Sequence, residues 1–228
     1  MFKKLNNIGD CGIVCDFGDE VNREINTSVI KLFHHVKKEI LQGNLKGVLN
    51  YTPSYNKLII NFDLGKTNSS KIIDFLQSVD FTKLNLSQSS KKWTIPICYD
   101  FEMDLENMSK TLKIDRNEII KMHLNTDFFI YMIGFVPGHP FMGDLDPKLF
   151  LSRLKTPRVK IPPGSVGVVE KFCNIYPYES PGGWNIIGRT PIKLFNIQNQ
   201  SNPCLLSPGD SIKFKSISKK EFKELANE

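Results

Sequence analysis

Three side chains within residues 134–191 combine types and settings that could do chemistry: His139, Glu179 and Arg189. His139 sits in GFVPGHPFMGD between Gly138 and Pro140, so a stiff loop presents it, and an imidazole there is a candidate general acid or base near neutral pH. Glu179 and Arg189 flank the turn Pro181-Gly182-Gly183 in YPYESPGGWNIIGRT. Folded back on one another they would form an ion pair across a hairpin; apart, the guanidinium is free to hold a carboxylate or phosphate with two parallel hydrogen bonds. Arg158, beside Pro157, adds positive charge, as does Lys155. Ser165, after Pro162-Pro163-Gly164, is a possible donor to an anion, but no base accompanies it as a nucleophile would require.

These residues lie in a segment of unusual composition. Its 58 positions hold 8 of the 15 glycines and 9 of the 13 prolines, interleaved with Ile, Val, Phe, Tyr and Trp that offer a core. Glycine permits close backbone approach and proline fixes φ, so the segment reads as a shaped, loop-rich β surface. From Thr126 the period changes: 127–136 is a strand run, and the later apolar runs are short, β-branched or aromatic, and bounded by Gly or Pro, as in 166–169, 185–187, 192–195 and 211–214. That spacing predicts a barrel or sandwich over 126–228, closed by a short helix whose Ser218 and Glu221 have capping-box spacing.

The first hundred residues read differently. A strand at 11–17, a helix over 22–42, strands at 46–52 and 57–63, a helix that Ser69 or Ser70 can cap, and a strand at 93–99 give the order β-α-β-β-α-β. This is the ferredoxin-like signature of one sheet covered by two helices, and the predicted first domain is therefore 1–100. Between the domains, 101–125 reads as two short helices split at Asp115, forming a helical connection with His123 as a cap or packed side chain near its end.

Composition narrows the function classes. The net charge of +6 is spread evenly, with 13 Lys/Arg against 10 Asp/Glu in residues 1–100 and 17 against 14 in the rest, so no basic face for nucleic acid emerges. The five cysteines show no CxxC pair or nearby histidine at metal spacing, and no stretch of 18 apolar residues or signal-peptide pattern is present. A cytoplasmic protein with reduced thiols, no metal and no membrane association is the expectation. Phosphate-loop, dinucleotide, nucleophile-elbow and zinc-helix motifs are absent.

The segments GFVPGHPFMGDLD, TPRVKIPPGSVGVV, IYPYESPGGWNIIGRTPIKLF and LSPGDSIKF resemble the family of 5-oxoprolinase B subunits, also called allophanate hydrolase subunit 1, which includes a sporulation histidine-kinase inhibitor. The resemblance runs over nearly the whole chain. It implies an α+β N-terminal ferredoxin-like domain followed by an all-β cyclophilin-like barrel. It further implies two partners, a homologue of the family's C subunit, with a related barrel, and a lactam-utilisation protein as the A subunit. The implied reaction is ATP-dependent opening of the 5-oxoproline lactam to glutamate. The chain would then be an amide hydrolase subunit that is inactive without those partners, with ATP bound by the complex.

Two motif positions differ: His139 stands where an aromatic such as Phe is more usual, and Asp144 where a second glycine is common. The related urea-carboxylating enzymes widen the substrate set to small amides and ureas, and the kinase inhibitor supplies a regulatory alternative. On the lactamase reading, Arg189 and Arg158 bind anionic groups and His139 shuttles a proton. Backbone N–H groups around Gly138 and Gly182-Gly183 then stabilise developing charge.

Overall fold

The computed structural model describes residues 2–85 and 90–226 and divides into two compact units, Met1–Ser90 and Lys91–Glu228. Residues 86–89 lie outside the described residues, as do 227 and 228 beyond the terminal helix.

The first unit contains β1 (Lys4–Ile8), β2 (Gly12–Asp16), α1 (Arg23–Leu41), β3 (Val48–Pro53), β4 (Lys57–Phe62) and α2 (Ser69–Ser78). Its antiparallel sheet has the order β1-β2-β4-β3. In β4 the alternate residues Leu58, Ile60 and Phe62 are buried, as the two-residue period of a half-covered strand requires. They pack with Val29, Leu32 and Val36 of α1 and with Ile72 and Leu76 of α2. The Asn22 side chain caps α1 by accepting from the Ile25 N–H at 2.9 Å, and Asn68, rather than either following serine, caps α2 through the Lys71 N–H at 3.0 Å.

The predicted fourth strand of this sheet is a correction. Residues 4–8, to which the sequence pattern assigns no element, fold back through a hairpin on β2 and take the sheet edge. The run expected there instead forms β5 (Lys92–Ile97) in the second unit, so the first unit ends at 90 rather than 100. β5 pairs in parallel with β13 (Ser211–Ser216), in register from Ser211↔Lys92 to Ser216↔Ile97. The buried Asp210 carboxylate anchors the pair, accepting from the Trp93 indole N–H at 2.9 Å and the Lys91 N–H at 2.8 Å.

Between them lie α3 (Leu105–Leu112), α4 (Arg116–Asn125), β6 (Phe128–Ile133), β7 (Pro140–Gly143), β8 (Arg158–Ile161), β9 (Ser165–Val169), β10 (Phe172–Ile175), β11 (Ser180–Gly182) and β12 (Asn185–Arg189). α5 (Lys219–Ala226) follows β13, and the Glu221 side chain accepts from the Ser218 N–H at 2.7 Å, forming the predicted capping box. The seven-stranded order β12-β9-β10-β7-β6-β13-β5 curls until its edges meet, with Cys98 and Arg189 exchanging backbone hydrogen bonds of 2.8 and 3.0 Å. The parallel pair β5–β13 makes the sheet mixed, and the second unit, which also holds α3, α4 and α5, is not all-β as expected.

The helices expected as a connection belong to this barrel. Leu105, Met108 and Ile119 join Phe128, Ile130, Met142, Val168 and Ile187 in one core cluster. His123 is fully buried there, 2.7 Å from the Tyr99 hydroxyl through Nδ1 and with its ring 4.7 Å from that of Phe214. It is a packed core side chain.

Gly164, just before β9, ties the chain after β10 to the chain after β12. Its N–H donates to Tyr176 O at 2.7 Å, its carbonyl accepts from the Thr190 N–H at 2.8 Å, and its φ is +82°. A Cβ there would stand 2.1 Å from the Thr190 carbonyl oxygen. Gly164→Ala is therefore expected to destabilise by roughly 2 kcal/mol or more, read as a lowered melting temperature, because left-handed strain and a backbone clash act together.

Candidate active site

The loop between β6 and β7 folds tightly on itself. Gly134 N–H donates to His139 O at 3.1 Å and His139 N–H to Val136 O at 3.2 Å, while Phe135 and Gly138 both take positive φ. At Gly138 (φ +76°) a Cβ would meet Phe195 Cβ at 2.8 Å, so the loop seats here only with a glycine. The fold drives His139 inward, leaving it 2 % exposed, with its ring stacked on Phe141 at 4.6 Å and 9° and beside Tyr176 at 5.1 Å.

β10 supplies the partner. Its inward Asn174 is paired in register with Phe141 of β7 and places Nδ2 3.0 Å from His139 Nε2. Neither His139 Nδ1 nor Asn174 Oδ1 has a hydrogen-bond partner among the described residues, although both atoms are buried. Unsatisfied buried polar groups are rare in folded proteins, and two of them side by side leave room for a hydrogen-bonding guest. Burial pushes the His139 imidazole down to about 4, so it is neutral at physiological pH, and burial likewise raises the Tyr176 phenol.

Above this pair lies a cavity of about 330 Å³, within the size range of small-ligand sites. Phe135, Phe141 and Trp184 give it flat apolar walls, and Gly182-Gly183 lines the side formed by the β11 turn. One cation is in the lining: Arg153, exposed, with no ion pair or hydrogen bond among the described residues.

Of the residues singled out in the sequence, His139, Gly182 and Gly183 come together here. The others do not. Glu179 is exposed and pairs with Lys160 at 3.1 Å, so the expected hairpin pair with Arg189 does not form. Arg158 is paired with buried Asp104, through Nη1–Oδ2 at 3.0 Å and Nη2–Oδ1 at 2.5 Å, so each of its terminal nitrogens already meets a carboxylate oxygen. Ser165 is 2 % exposed within β9. Arg189 donates from Nε to Pro163 O at 2.6 Å, packs over the Phe222 ring and lines a separate groove.

Asn174 and Arg153 were not legible as site residues. Asn174 carried one signal, a polar residue in the apolar run FCNI, whereas Arg153 lies in an unpatterned loop.

The sequence and the fold match known proteins. The chain belongs to the carboxyltransferase domain family, subdomains C and D, whose sequence profile matches residues 3–206. Within it, the chain is 31% identical to the 5-oxoprolinase B subunit of Bacillus subtilis (strain 168), over 96% of this chain and 95% of the relative. It is 37% identical to the 5-oxoprolinase B subunit of Haemophilus influenzae, over 68% of this chain and 78% of that one. The crystal structure of TTHA0988 has the same fold, with a TM-score of 0.79 and 27% identity over 92% of this chain, which spans 40% of the TTHA0988 chain. No helix among the described residues is long and apolar enough to cross a membrane.

Proposed function

We propose that the chain is the B subunit of an ATP-dependent 5-oxoprolinase, working in the cytoplasm with a barrel-bearing C subunit, and with a lactam-utilising A subunit, and inactive without them. The observation that carries this reading is likeness to the 5-oxoprolinase B subunit over 95% of that relative. The cavity supports it. 5-Oxoproline is a flat five-membered lactam bearing one carboxylate; the aromatic walls suit the ring, and Arg153 suits the carboxylate.

Lactam hydrolysis adds water across the C–N bond, the nitrogen taking a proton as glutamate is released, and ATP supplies activation of the unreactive carbonyl. The chain's own residues bind and orient. His139, neutral and held by Asn174, offers a fixed hydrogen-bonding wall rather than a store for a proton at neutral pH. Asn174 fixes the ring plane, and Trp184 and Phe141 exclude water. A cavity of about 330 Å³ with one guanidinium fits the lactam and not a nucleoside triphosphate, whose several charges call for several cations, so we assign nucleotide contact to the partners.

The test is reconstitution with the candidate A and C subunits and measurement of ATP-dependent loss of 5-oxoproline. Turnover by the three together, absent for this chain alone, is expected. Arg153→Gln should raise KM for 5-oxoproline at least tenfold with kcat little changed, the pattern of a lost ground-state contact. No turnover from any combination refutes the reading.

A further inference from the structure

We propose that the groove beside Arg189 is a second ligand site, distinct from the His139 cavity, and that it takes a monocarboxylate whose apolar body lies against Phe195 and Phe222. The groove encloses about 360 Å³. Its walls are mainly apolar, from Ile192, Leu194, Phe195 and Phe222, with Arg189 set among them and Lys193 at the exposed rim.

The guanidinium is prepared for a ligand in three respects. Its Nε is fixed on the Pro163 carbonyl at 2.6 Å, its face lies 5.7 Å over the Phe222 ring, and its two terminal nitrogens have no partner among the described residues. A partly buried cation is normally matched by an anion. Arg158, from the same stretch of sequence, shows this, since Asp104 meets both of its terminal nitrogens. Arg189 has no such carboxylate among the described residues. Burial already pulls its pKa below the usual arginine value, a penalty that a bound anion relieves.

Chemistry selects the class of ligand. Two terminal N–H groups in one plane match the two oxygens of a carboxylate. The hydrocarbon lining suits an acid with an apolar body, whereas a phosphate dianion would leave oxygens desolvated against Ile192 and Phe195. The site does not depend on the 5-oxoprolinase reading, because it shares no lining residue with the His139 cavity.

The test titrates the full chain with benzoate, benzamide and phenyl phosphate, following affinity by calorimetry and location by amide chemical shifts. Benzoate should bind at least tenfold more tightly than benzamide and phenyl phosphate, with shifts at Thr190 and Phe195 and not at the Trp184 indole. Arg189→Gln should lower benzoate affinity at least tenfold, and Arg189→Lys should lose less. Arg189 also packs on the helix carrying Phe222, so Lys193→Glu, at an exposed position, provides the second variant. It should weaken benzoate severalfold with an unchanged melting temperature. Equal affinity for benzoate and benzamide, shifts centred on Trp184, tighter binding of phenyl phosphate, indifference to both variants, or no binding of benzoate would each overturn the proposal.

Discussion

Asp104→Ala is expected to remove about 3–5 kcal/mol of stability, the loss that follows when one partner of a buried ion pair is deleted. Asp104 is 4 % exposed and receives three donors: both terminal nitrogens of Arg158 and the Ile186 N–H, the last at 2.6 Å. Its removal leaves a guanidinium without its counter-ion and a buried strand amide without an acceptor. Folded domains are stable by about 5–15 kcal/mol, so equilibrium urea unfolding should show a large drop in midpoint.

The double variant Asp104→Leu with Arg158→Leu separates these losses. With both charges gone only the Ile186 amide lacks its partner, a deficit of about 1–3 kcal/mol, and the pair should be more stable than Asp104→Ala alone. A double variant less stable than the single one would show that the pair contributes through packing rather than compensation of charge.

Acid lability is the second large effect. Burial lowers His123 to about 3 and His139 to about 4, while an unfolded histidine titrates near 6.5. Between those values the unfolded chain binds more protons than the folded one, so stability rises with pH. The contribution is complete above about 6.5 and is lost as pH falls toward 4 for His139 and 3 for His123. By pH 4 the loss is on the order of 3 kcal/mol for each histidine. The Asp16 carboxyl, held down chiefly by its hydrogen bond from Lys57, adds its own loss only at lower pH.

Urea midpoints at pH 7.5, 5.5 and 4.5 should therefore fall steadily. Neither buried imidazole should titrate by NMR between pH 5 and 8. His139→Phe keeps a ring over Phe141 and should make the slope shallower by one proton. A midpoint flat from pH 7.5 to 4.5 would contradict the burial of both rings.

Much of this protein follows from local pattern. The apolar stripe of α1, the alternation in β4, the break at Asp115 and the box at Ser218 each depend on residues a few positions apart, whose interactions are set by helix or strand period. The glycine and proline density of 134–191 likewise marked the loops that now hold His139 and Gly182-Gly183 at one cavity.

What tertiary structure alone decided involves partners far apart in sequence. β5 had the pattern of a closing strand for the first sheet, but its partner is β13, more than a hundred residues later. Arg158 and Arg189 looked alike as cations beside prolines and glycines; Asp104, 54 positions before Arg158, pairs with the first, whereas the second meets the Pro163 carbonyl and no carboxylate among the described residues. His139 and Asn174 lie 35 positions apart and meet because β7 pairs with β10. Sequence spacing specifies which faces are apolar and where the chain turns. Which charge is neutralised, and which imidazole is driven neutral, depends on the burial and neighbours that only the closed barrel supplies.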